Sequence, residues 1–143
     1  MQLTKFSDYA LRVLMFAHEA GDRLVTIEEM SVAYRISRDH LMKVVNALTR
    51  AGYLTAVRGR SGGVKLARKA EDIRLGDVIR MTEPDFALVE CLGSGNTCVI
   101  TKCCRLPGVL SEAMAAFLST LDKYTLASIA IRPAALRKAL AVG

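Results

Sequence analysis

Apolar residues recur at helical spacing along several stretches of the chain and give way in one place to two short strand-like runs, which predicts a mainly α protein with a small β-hairpin. Phe6, Ala10, Val13, Leu14 and Ala17 share one helical face, with Ser7 read as the cap and Gly21-Asp22 as the stop. Thr26-Ile27-Glu28-Glu29 has the form of a capping box, in which hydroxyl and carboxylate satisfy orphan backbone N–H groups. A second short helix therefore runs from Ile27 to about Tyr34, and Ile36 closes a tight corner. Ser37 caps a third helix with Leu41, Val44, Val45 and Leu48 on one face and Arg38, Asp39, Met42, Lys43 and Asn46 on the other; Gly52 gives its left-handed exit. Two short helices joined this tightly, the second polar and basic outward, make a helix-turn-helix.

The strand-like runs Tyr53 to Arg58 and Val64 to Ala67 flank Gly59-Arg60-Ser61-Gly62-Gly63, a hairpin with a glycine-rich basic tip that reads as a wing. Its glycines would permit close approach to a sugar-phosphate backbone, and its arginines would neutralise phosphates or enter a narrow minor groove. Ile73 to Met81 reads as a strand end followed by a short helix, stopped at Glu83-Pro84-Asp85. From about Leu106 to Leu121 a long helix carries Leu110, Met114, Phe117, Leu118 and Leu121, with Ala113, Ala115 and Ala116 small enough for a partner to approach. That suits dimerisation. A helical piece near Thr125 to Ile131 and a last helix from Pro133 through Leu140 complete the expected order. The expected division is a winged helix-turn-helix over 1–82, a cysteine-rich loop over 83–105 and a helical dimerisation region over 106–143.

Composition agrees with a globular protein: 143 residues, 52% hydrophobic, 24% charged. The formal charge of +6, with basic residues bunched from Arg35 to Arg74, adds a polyanion as partner. No stretch reaches the roughly 18 apolar residues of a membrane span, and the first residues turn acidic before any apolar leader develops, so the reading is a cytoplasmic protein. There is no Gly-rich nucleotide loop, no carboxylate pair in a plausible pocket and no His near the cysteines, so an enzyme is not expected.

All four cysteines lie between Cys91 and Cys104, clustered as metal ligands or a thiol switch would be rather than spread as structural disulfides are. Cys91-x6-Cys98 is followed by x4 to Cys103 or x5 to Cys104, neither of which is a zinc-ribbon spacing. A loop with Gly93, Ser94, Gly95 and Asn96 lets three thiolates reach different irons of an iron-sulfur cluster and leaves one coordination position to be filled. Adjacent side chains diverge, so one of Cys103 and Cys104 is spare. The rival reading is a thiol-disulfide or zinc-dependent redox switch on the same scaffold.

The motifs together, Met1-Gln2-Leu3-Thr4 with Phe6-Ser7-Asp8-Tyr9, Ser37-Arg38-Asp39-His40-Leu41, Arg50 through Gly59, Ser61-Gly62-Gly63, Ile73-Arg74-Leu75-Gly76-Asp77-Val78 and Cys104-Arg105-Leu106, resemble the NsrR/IscR family of iron-sulfur winged-helix transcriptional regulators, over nearly the whole chain. The NsrR-like branch is the more similar. The resemblance implies a [2Fe-2S] or [4Fe-4S] cluster on Cys91, Cys98 and Cys104, with Cys103 the extra thiol. IscR-like members carry a His three residues past the third cysteine, where this chain has Pro107; the NsrR-like fourth ligand is Asp8, supplied across a homodimer. It further implies a repressor that senses nitric oxide and releases double-stranded, palindromic operator DNA, with a regulator of cluster biogenesis as the alternative within the family. On that reading Ser37, Arg38, His40, Lys43 and Asn46 face the DNA from the third helix, Arg58, Arg60 and Ser61 from the wing, and Tyr9 and Arg12 hold phosphates.

Overall fold

The computed structural model describes residues 2–131, 134–135 and 138–139. Among the described residues up to 131 the helices and strands are, in order, α1 (Lys5–Glu19), α2 (Ile27–Tyr34), α3 (Arg38–Arg50), β1 (Leu54–Val57), β2 (Gly63–Leu66), α4 (Leu75–Thr82) and α5 (Leu106–Leu121). Single 3-10 turns lie at Ala70–Asp72, Glu90–Leu92 and Ala127–Ile129. The mainly α fold with one antiparallel hairpin is as the sequence pattern predicts. The last helix expected from Pro133 through Leu140 lies largely outside the described residues.

Local chemistry sets the helix starts. The Thr26 hydroxyl accepts the Glu29 N–H at 3.1 Å and the Glu29 carboxylate accepts the Thr26 N–H at 2.8 Å, so the capping box forms as read. Those bonds, the Thr26 N–H above all and Arg23 beside it, hold the Glu29 carboxyl below its usual range. Ser37 caps α3. The first helix departs from expectation: Thr4, not Ser7, is its cap and accepts the Ser7 N–H at 3.2 Å. Ser7 is fully buried one turn in, where the packing of α1 takes its small side chain. Between α2 and α3 it is Arg35, at φ 55°, that makes the left-handed corner before buried Ile36.

The core gathers Ala10, Val13, Leu14 and Ala17 of α1, Met30 of α2, Leu41, Val44, Val45 and Leu48 of α3, and Ile73 and Val78 around α4. Each fully buried Val, Leu, Ile or Met side chain among these contributes roughly 1.5–3 kcal/mol. In the hairpin Leu54 pairs with Leu66 and Val57 with Gly63. A further bridge joins Val25 to Val64, with N–H···O bonds of 2.9 and 2.8 Å in both directions, so the start of β2, just after the turn, is fastened to the segment before α2. Beyond α5 the chain folds back: Arg74 bridges Thr125, the Leu126 N–H donates to the Ile73 carbonyl at 2.8 Å, and Leu126 is fully buried. α5 itself has no buried residue.

Candidate DNA-binding face and cysteine loop

On α3 the residues opposite the core, Arg38, His40, Lys43 and Asn46, are all exposed, as is the cap Ser37. Arg38 is held by Glu28 of α2 at 2.9 Å, so an N-terminal cation of the exposed face is tied back to the neighbouring helix. The His40 ring lies 6.3 Å from that of Tyr9, tilted by 41°, which places the candidate phosphate ligand of α1 beside α3. Lys5, Phe6 and Tyr9 from α1 and His40, Lys43 and Val44 from α3 line a cleft of about 230 Å³.

The wing presents Arg58, Arg60 and Ser61 in the open. Its glycines answer first to the chain's own backbone. A Cβ on Gly62 would collide with the Val57 carbonyl, and one on Gly63 would sit 2.7 Å from the Val25 carbonyl oxygen; Gly59 takes φ +114°. Arg68, which the sequence did not single out, donates from Nε to the Gly52 carbonyl at 3.0 Å and from Nη2 to that of Ala51 at 3.2 Å, with its guanidinium 4.5 Å over the Tyr53 ring. A cation just past the C-terminus of α3 satisfies the carbonyls of the turn there and ties the end of β2 to that turn.

Asp8 and Arg12, assigned separately to metal and phosphate, are brought together by the helix: their ion pair spans one turn, with Nη2 at 2.8 Å and Nε at 3.0 Å from the two carboxylate oxygens. One turn earlier the Glu83 carboxylate accepts from the Thr4 N–H at 2.8 Å and the Thr4 hydroxyl at 3.1 Å. Glu83 is the C-cap of α4 and the first residue of the cysteine loop, so the start of α1 and the root of the loop share one hydrogen-bonded joint. Sequence reading took Glu83 only as a helix stop, because nothing local signals a partner 79 positions away.

All four cysteines are free thiols; Cys98 and Cys103 are exposed, Cys91 and Cys104 half-buried. Glu90 accepts from the Thr97 N–H at 2.5 Å and the Thr97 hydroxyl at 2.6 Å, bonds that lower its pKa and tie the residue before Cys91 to the residue before Cys98. The Asn96 side chain accepts the Cys98 N–H at 3.0 Å, and the Ile100 carbonyl takes the N–H groups of Cys103 and Cys104 and the Cys103 thiol. In kind, these thiols are the donors an iron-sulfur cluster takes, on a loop that offers backbone N–H groups nearby. Among the described residues no three His, Cys, Asp or Glu side chains of the single chain converge in a metal-binding arrangement, and Asp8 lies on α1 with its carboxylate engaged by Arg12.

The chain is similar to known proteins in sequence and in fold. The profile of the Rrf2 family, described as an iron-dependent transcriptional regulator, matches residues 3–132. The chain is 45% identical over 142 residues to the HTH-type transcriptional regulator NsrR of Bacillus licheniformis, covering 98% of this chain and 99% of that one. It is 48% identical over 128 residues to NsrR of Bacillus subtilis, covering 88% of each. Among solved structures the IscR of T. potens superposes with a TM-score of 0.71 at 25% identity, over 90% of this chain and 85% of that one. No helix among the described residues is long and apolar enough to cross a membrane. With its helix-turn-helix, its wing and these relatives, the chain belongs to the Rrf2 family of transcriptional regulators.

Proposed function

We propose that this regulator is a homodimeric repressor that binds a palindromic operator and responds to nitric oxide through an iron-sulfur cluster on Cys91, Cys98 and Cys104, with Asp8 of a second copy as the fourth ligand. The observation that carries the reading is the joint between Glu83 and Thr4, which couples the root of the cysteine loop to the helix bearing Asp8 and Tyr9. When bound, the cluster supplies iron positions at which nitric oxide competes with a weakly held carboxylate.

Asp8 has a second claimant in Arg12, one turn along the same helix. Arg12 would hold the Asp8 carboxylate wherever a cluster does not. Tyr9, next to Asp8, lies against His40, so a shift of α1 reaches the recognition helix within one side-chain contact. Half-sites in such dimers lie about 34 Å apart, and a small rotation of one head misplaces its base contacts. Each lost bidentate contact costs roughly 1–3 kcal/mol, so one lost per head lowers affinity roughly 30-fold or more if the losses add.

The test is anaerobic purification with absorbance, iron and sulfide analysis, followed by titration of operator binding against nitric oxide. Loss of binding in step with bleaching is expected. Operator affinity indifferent to cluster state removes the sensor and leaves the DNA reader standing.

A further inference from the structure

The cleft between α1 and α3 has a composition that the base-reading assignment of α3 leaves unused. Phe6, Tyr9 and Val44 make its lining mostly apolar, His40 completes it, and Lys5 and Lys43 line it from the two helices. No carboxylate lines it. Neighbouring cations are already engaged, Arg12 by Asp8 and Arg38 by Glu28, whereas Lys5 and Lys43 have no ion pair among the described residues. Their stems can lie along the apolar walls while the ammonium groups stay in water.

We infer that this cleft seats one unit of the DNA backbone, its deoxyribose over the apolar lining and its phosphate bracketed by Lys5 and Lys43. The inference rests on the DNA-binding reading above and adds to it a residue, Lys5, and a changed duty for Lys43, from base edge to backbone. Charge and shape together select the occupant. Two uncompensated ammonium groups attract an anion, an apolar lining disfavours a small hydrated one, and the exposed face of α3 beside the cleft is the side on which a duplex would pass. Contacts of this kind fix register on the duplex and carry no sequence information.

The experiment measures binding of wild type, Lys5→Ala, Lys5→Arg, Lys43→Ala and the distant control Lys123→Ala to an operator duplex and to a scrambled duplex at several salt concentrations. Each backbone contact removed lowers the slope of log affinity against log salt by about 0.9 per bound chain. Lys5→Ala and Lys43→Ala are each expected to show that fall and the same fold-loss on both duplexes, with Lys5→Arg near wild type and Lys123→Ala unchanged. A wild-type slope in Lys5→Ala overturns the seat, as does a Lys43→Ala loss confined to the operator. A wild-type protein that binds neither duplex overturns the DNA reading itself, and the seat with it.

Discussion

A methyl group on Gly63 would lie 2.7 Å from the Val25 carbonyl oxygen and 3.1 Å from the Leu24 Cβ, against backbone that is itself hydrogen-bonded to Val64. Gly63→Ala is therefore expected to cost about 1–3 kcal/mol, the usual price of overpacking. Gly95→Ala, where nothing lies within 4 Å, should stay within about 0.5 kcal/mol of wild type. Urea unfolding of the two variants checks this, and equal midpoints would show the contact between Gly63 and the Val25 segment to be loose. The fold itself requires two of the wing glycines, Gly62 and Gly63, against its own backbone, whatever they allow toward DNA. At this scale the legible features were those closed within three or four residues, such as the Thr26 box and the Ser37 cap. Ser7 and Thr4 are both plausible caps locally, and the folded chain distinguishes them by the bond Thr4 accepts from the Ser7 N–H and by the burial of Ser7. Arg68, Glu83 and Glu90 went unread because their partners come from other turns of the fold.

Helices α4 and α5 are drawn together at one point. Arg80 makes two bonds to Asp122, just past α5, at 2.6 and 2.7 Å, and any Cβ on Gly76 would collide with that carboxylate. The Arg80 guanidinium holds the Asp122 carboxyl below its usual value, through the hydrogen bonds first and through charge second. A depressed carboxyl in the folded state adds stability above the ordinary carboxylate pKa of about 4, and that contribution is lost as pH falls through the folded value. Asp122→Asn should accordingly lower the urea midpoint at pH 7, with the gap from wild type closing toward pH 3. A gap independent of pH would mean that the pair is idle. The boundaries of α5 and the hairpin were legible because periodicity and turn residues are local signals. The return of the chain after α5, where Leu126 docks on Ile73, was not, since a short apolar piece does not announce what it covers.

Across the whole molecule the apolar surface is unevenly settled. The winged helix closes around its own core, whereas α5 exposes Leu106 and Val109 and buries no residue, and Val99 in the loop is 96% exposed. A second copy packed along α5 would cover this surface, and the alanines at 113, 115 and 116, all exposed, would let the helices approach. Melting temperature is then expected to rise with protein concentration, and Ala113→Glu to weaken self-association at least about tenfold in sedimentation, since a buried unpaired charge costs several kcal/mol. A concentration-independent melt with unchanged sedimentation would rule this out. The same uncovered helix bears on turnover. In a lone chain α5 is a 16-residue helix with no fully buried side chain, more open to local unfolding and so to cleavage than the winged-helix core; pairing hides it. Scarcity would thus feed on itself, with dilute regulator cleared faster than abundant regulator and its level in the cell falling more steeply than its synthesis.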